Sequence, residues 1–78
     1  MPGKQPLYLQ LAELIEKKIL SKEYVLGTYI PSERELCESY GVSRMTVRKA
    51  ISLLEENGLL SKIQGKGTIV RPTVLETP

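Results

Sequence analysis

Three stretches of the chain repeat apolar residues at helical spacing, and one breaks into short alternating runs. From Leu7 to about Ser21, the residues Leu7, Tyr8, Leu11, Ala12, Ile15 and Ile19 form an apolar stripe. Pro6 precedes it, where a first-turn proline forfeits no helical hydrogen bond. Glu13 and Lys17 stand four apart in the favourable order on the solvent side. This pattern predicts a first helix whose role is packing.

Lys22 to Tyr29 reads as a connection turning at Gly27. The residue before a proline prefers an extended backbone, so Tyr29 and Ile30 predict a short strand or extended rung before Pro31. Ser32-Glu33-Arg34-Glu35 then has the form of a capping box. Glu33 and Glu35 also place negative charge at the positive end of the helix that follows. That helix runs through Leu36, Cys37 and Tyr40 and stops at Gly41, a residue suited to a left-handed cap.

Gly41-Val42-Ser43 is the whole connection to the third helix. Ser43 is a suitable N-cap, and Arg44 to Glu56 follows with Val47, Ala50, Ile51 and Leu54 on one face. Two short helices joined by so tight a turn are the requirement of a helix-turn-helix. After Asn57-Gly58 the period changes. Leu59 to Gln64 and Thr68 to Arg71 are β-capable runs around Gly65-Lys66-Gly67, predicting a hairpin that Pro72 closes. The fold class is therefore mostly α with a small β-hairpin: three helices, a short strand after the first, and a two-stranded C-terminal wing.

Composition narrows the function. The chain has 78 residues, enough for one small domain, with 41% hydrophobic and 26% charged residues. No long apolar run predicts a membrane span, and the first residues do not read as a signal peptide. One cysteine and no histidine leave no disulfide framework, no zinc site and no nucleophile–base pair, and the cytoplasm is the expected compartment. No cofactor is expected and catalysis is excluded. The net charge of +2 is unevenly spread. Met1 to Val42 holds five basic and six acidic residues, whereas Ser43 to Arg71 holds six basic and two acidic. One face is thereby suited to a polyanion, though charge alone fits a solvated basic surface equally well.

The inward set on the third helix turns Met45, Arg48, Lys49 and Ser52 outward, with Arg44 at the edge of that face. The first turn of such a helix enters the major groove. Arginine there can grip guanine O6 and N7 together, and Met45 or Thr46 can touch a thymine methyl. The alternative is an ordinary solvated helix face. Arg34, at the start of the second helix, fits a phosphate or base contact or an ion pair with Glu38. Gly65 and Gly67 around Lys66 fit a slim tip that approaches a minor groove, or a turn that needs positive φ. Cys37 fits packing better than redox sensing, and the four scattered tyrosines fit a core better than a base-stacking platform. The reading requires Arg44 and Arg48 to stand clear of carboxylates beside an open basic ridge.

Four segments, Pro6 to Gln10, Pro31 to Leu36, Gly41 to Arg48, and Gly58 to Leu60 with Gln64 to Val70, together resemble the GntR family of bacterial transcription regulators. The wording of Ser43 to Arg48 and Gln64 to Thr68 is most similar to its HutC-like subfamily. The resemblance implies a winged helix-turn-helix binding a palindromic double-stranded operator as a homodimer in the full-length protein. It implies Arg34, Arg44 and Arg48 as principal DNA contacts, Ser43 and Thr46 on the DNA backbone, Met45 at a variable position, and Gly65 in the minor groove. With Lys49 and Lys66, these are the expected DNA-binding residues. Residues 1–5 read as a flexible N-terminus, 6–72 as the domain, and 73–78 as the start of a linker to an absent domain that binds a small-metabolite effector. The segment alone is expected to be a monomer or weak dimer. Lys22 stands where the family often has glycine, and Val25-Leu26 replace its usual prolines. The competing function is a winged-helix module for protein–protein contact.

Overall fold

The computed structural model describes residues 6–72. Helix α1 spans Leu7–Leu20, α2 Glu33–Tyr40 and α3 Arg44–Glu56; strands β1 (Leu60–Ile63) and β2 (Gly67–Val70) follow. The readings of residues 1–5 and 73–78 lie outside the described residues.

Each helix end has a local cause. The Ser32 hydroxyl accepts the Glu35 N–H at 3.1 Å, and the Glu35 carboxylate accepts the Ser32 N–H at 2.9 Å, so the capping box closes in both directions. Gly41 ends α2 at φ 64, and its N–H donates to the Cys37 carbonyl. Ser43 starts α3 by accepting the Thr46 N–H at 3.2 Å. Pro6 precedes α1 without any side-chain cap.

α1 packs mainly on α3, and α3 also touches α2 and β1. Leu11, Ala12, Ile15 and Ile19 from α1 meet Val47, Ala50, Ile51 and Leu54 from α3, and Leu36, Ile30, Leu60 and Val70 close the core. The predicted α1 stripe begins one turn too early. Leu7 is 57% exposed and Tyr8 only half-buried, so the continuous core starts at Leu11. Burial of the large side chains, about 1.5–3 kcal/mol each, carries a domain of this size.

β1 and β2 pair antiparallel, Leu60 opposite Val70 and Ile63 opposite Gly67. The hairpin turn lies one residue earlier than predicted. Gln64, Gly65 and Lys66 form it, closed by the Lys66 N–H on the Ile63 carbonyl at 2.9 Å, while Gly67 already belongs to β2. The expected rung at Tyr29 and Ile30 is present. Tyr29 bridges Ile69, the Ile30 N–H reaches the Thr68 carbonyl, and the Val70 N–H reaches the Thr28 carbonyl. β2 is thus held on both sides.

Candidate nucleic-acid interface

Burial of Val47, Ala50, Ile51 and Leu54 fixes the rotation of α3 and turns Arg44, Met45, Arg48 and Lys49 to solvent. Met45 is the most exposed large apolar side chain of α3, at 66%. Ser43 and Thr46 lie at the start of the helix, where the Ser43 hydroxyl donates to Thr46 Oγ1 at 3.1 Å besides capping the backbone. Both hydroxyls are therefore already oriented by the fold.

The arginines are not clear of carboxylates, which corrects the open ridge expected from the pattern. Arg48 Nε donates to both oxygens of Glu33 at 3.2 Å, and Arg44 Nε stands 3.9 Å from Glu33 Oε1. The physical reason is the tight turn, which returns α3 alongside α2 and brings the first residue of α2 over the first two turns of α3. Both arginines remain more than half exposed, and contact through Nε leaves the two Nη groups as donors. Exposed pairs contribute only about 0–1 kcal/mol, so such a contact can be exchanged.

Arg34 pairs with Glu38 at 3.6 Å, the ion pair that its position allowed, and both side chains are largely exposed. A pair this solvated leaves the guanidinium accessible to an anion. Lys49 lies over the Tyr8 ring, 5.4 Å from its centroid. That contact edges a shallow hollow of about 370 Å³ between the start of α1 and α3.

At the wing, Gly65 has φ 76 and nothing within 4 Å of where a Cβ would sit. Its turn therefore requires the glycine, and the tip is also slim. Lys66 beside it is exposed. Gly67 has a different role. At φ 134 it lies against the Tyr29 ring, where a Cβ would come within 3.3 Å. Tyr29 is correspondingly half-exposed rather than in the core. A groove of about 420 Å³ runs between the wing and the start of α2, lined by Pro31, Ser32, Glu33, Lys62, Gly65 and Lys66 among others. Glu33, the carboxylate that Arg44 and Arg48 share, lines one end of it and the wing turn the other. The Lys62 N–H donates to the Glu55 carboxylate at 3.2 Å, tying the base of the wing to α3.

Three participants escaped the sequence reading: Glu33 as a cross-helix partner, Tyr8 beneath Lys49, and Glu55 beneath the wing. Only helix packing brings them to their partners, so their spacing along the chain carried no signal.

Three helices followed by a packed hairpin, with an exposed basic helix face beside it, define a winged helix-turn-helix DNA-binding domain. Residues 7–70 match the family described as bacterial regulatory proteins, gntR family, and the chain belongs to that family. It is 48% identical over 71 residues to the HTH-type transcriptional regulator YurK of Bacillus subtilis, covering 91% of this chain and 29% of that protein. It is 42% identical, with the same coverage, to the HTH-type transcriptional repressor NagR of Bacillus subtilis. A crystal structure of AraR(DBD) in complex with operator ORR3 superposes with a TM-score of 0.85 at 41% identity, covering 90% of this chain and 84% of that one. The chain thus spans about 29% of the length of these curated relatives. They are regulators of transcription, not enzymes.

Proposed function

We propose that this chain is the operator-reading part of a transcription repressor, seating α3 in the major groove of double-stranded DNA and the wing tip in the adjacent minor groove. The observation that carries the reading is the exposed first half of α3, rotated outward by its buried stripe, in a fold that also carries a wing with an exposed lysine at its tip. Arg44 and Arg48 would read guanine edges through two parallel hydrogen bonds, with Met45 and Thr46 placed for thymine methyls. Ser43, Lys49 and Arg34 would hold phosphates. Gly65 would let the backbone approach closely, and Lys66 would add a sequence-independent charge. The operator-bound AraR domain and the repressors among the relatives support this reading.

The full-length protein would bind a palindromic operator as a homodimer in the cytoplasm, with its metabolite effector held outside this segment in the manner of HutC-like regulators. The segment alone would be a monomer or weak dimer. The deciding experiment is selection of bound duplexes from a random pool, followed by salt titration of the selected and scrambled sequences. Log affinity should fall against log salt by about 0.9 per phosphate neutralised. Arg44→Ala should cost about 1–3 kcal/mol and relax one base pair, whereas Lys66→Ala should weaken all duplexes alike. A pool that yields no preferred sequence would refute the reading.

A further inference from the structure

Glu33 is an odd residue to find among the cations of a DNA-reading surface. It is the first residue of α2, its side chain is 27% exposed, and it reaches across fifteen positions to Arg48 with both carboxylate oxygens. The same Oε1 lies 3.9 Å from Arg44. The Arg34–Glu38 pair differs in kind, since it joins helical neighbours at i,i+4 with side chains 81% and 71% exposed. We propose that Glu33 is a specificity-determining positioning residue: it holds Arg48 by Nε and draws Arg44 to the same carboxylate for base contacts, and its charge penalises their use on phosphates. The inference rests on α3 being the groove helix.

Two physical effects act together. A free arginine side chain loses rotamer freedom when it binds, and one already fixed by the fold loses less. Held through Nε, Arg48 keeps both Nη groups, a fork that can meet guanine O6 and N7, and Arg44, drawn by charge at 3.9 Å, keeps all its donors. A carboxylate at that place also repels the phosphates of every sequence. Non-specific binding is almost wholly electrostatic, so it loses most from the repulsion, while contacts to uncharged base edges lose least. The residue thus lowers the affinity for wrong DNA more than for right DNA.

The test uses the 78-residue chain, with fluorescence anisotropy on the pool-selected duplex and on a scrambled one at several salt concentrations. Glu33→Gln removes the charge but keeps an amide oxygen as acceptor, and Glu33→Ala removes both. Glu23→Gln removes the same charge from a residue paired with Lys18 and with neither arginine. In both Glu33 variants the scrambled duplex should bind about fivefold tighter, the scale of one exposed charge interaction. Its salt slope should steepen by about 0.9 for each phosphate newly engaged. On the selected duplex Glu33→Ala should bind more weakly than Glu33→Gln, because only the latter still orients Arg48. The ratio of the two affinities should fall in both Glu33 variants and hold in Glu23→Gln. If Glu33→Gln shifts both duplexes by one factor, as a change of net charge would, the inference is overturned while the groove reading stands. If the unaltered chain does not prefer the selected duplex, both fall. Glu33→Gln decides the matter even if Glu33→Ala proves too unstable to assay.

Discussion

Replacing Gly67 with alanine separates backbone geometry from side-chain packing in the wing. The residue has φ 134, a conformation that L side chains rarely adopt, and an added Cβ would lie 3.3 Å from Tyr29 Cδ1 and 3.6 Å from Cε1. A non-glycine residue held in such a region costs of order 1–3 kcal/mol. Against this, alanine restricts the unfolded chain and returns about 0.4–1 kcal/mol. The contact adds little, because Tyr29 is 52% exposed and its ring can give way. Gly67→Ala should therefore lose about 1–2 kcal/mol net, and in a domain of this size each kcal/mol lowers Tm by roughly 4–8 °C. Circular-dichroism melts of Gly67→Ala, Tyr29→Ala and the double variant supply the assay. The backbone argument requires the alanine penalty to persist when Tyr29 is gone. An unchanged Tm for Gly67→Ala would refute it, and so would a penalty that vanishes in the Tyr29→Ala background, which would assign the whole effect to the ring.

Further outcomes follow from the caps and the titrating groups. Ser43→Ala removes the acceptor of the Thr46 N–H and should destabilise the chain by about 1 kcal/mol in urea unfolding; an unchanged midpoint would discount the cap. Lys22 has φ 70 and is the one described non-glycine residue with positive φ. Relief of about 1–2 kcal/mol of left-handed strain, less about 0.5–1 kcal/mol for the added freedom of glycine, should make Lys22→Gly more stable by about 0.5 kcal/mol. A lower urea midpoint would contradict this. Burial, ahead of the neighbouring Tyr40, pushes the Tyr24 hydroxyl above its ordinary value of 10.0. The native state then holds that proton more tightly than the unfolded chain does. Its contribution is complete below pH 10 and is lost as the pH climbs through the raised value. Tyr24→Phe should flatten the alkaline decline in stability, and parallel curves for the two proteins would remove the assignment.

The elements were readable because their signals are local. Ser32 and Glu35 sit three apart and close on each other, Gly41 and Ser43 bracket the turn, and the Val47 to Leu54 stripe sets the rotation of α3. Even the rung at Tyr29 and Ile30 followed from one proline. The misreadings arose where position depends on a partner distant in sequence. The stripe of α1 includes Leu7 by spacing, but no side chain of another element covers that turn completely. Gly67 looked like part of the turn because glycines cluster there, whereas its conformation answers to its place at the head of β2 against Tyr29. The outward set of α3 was correctly oriented, yet its arginines proved to share Glu33, whose place in the capping sequence fully accounted for it before the helices were packed.

The chain leaves the described domain at Pro72, directly after β2, the strand gripped by β1 on one side and by residues 27–30 on the other. A pull applied there bears on β2 and so on both flanking ladders. The Arg71 N–H on the Leu59 carbonyl, at 2.9 Å, and the Gly27 N–H on the Val70 carbonyl, at 2.7 Å, are the first bonds to feel such tension, and Gly27 lies a few residues ahead of the capped start of α2. A load at Pro72 therefore falls on a strut shared between the wing and the root of the second helix.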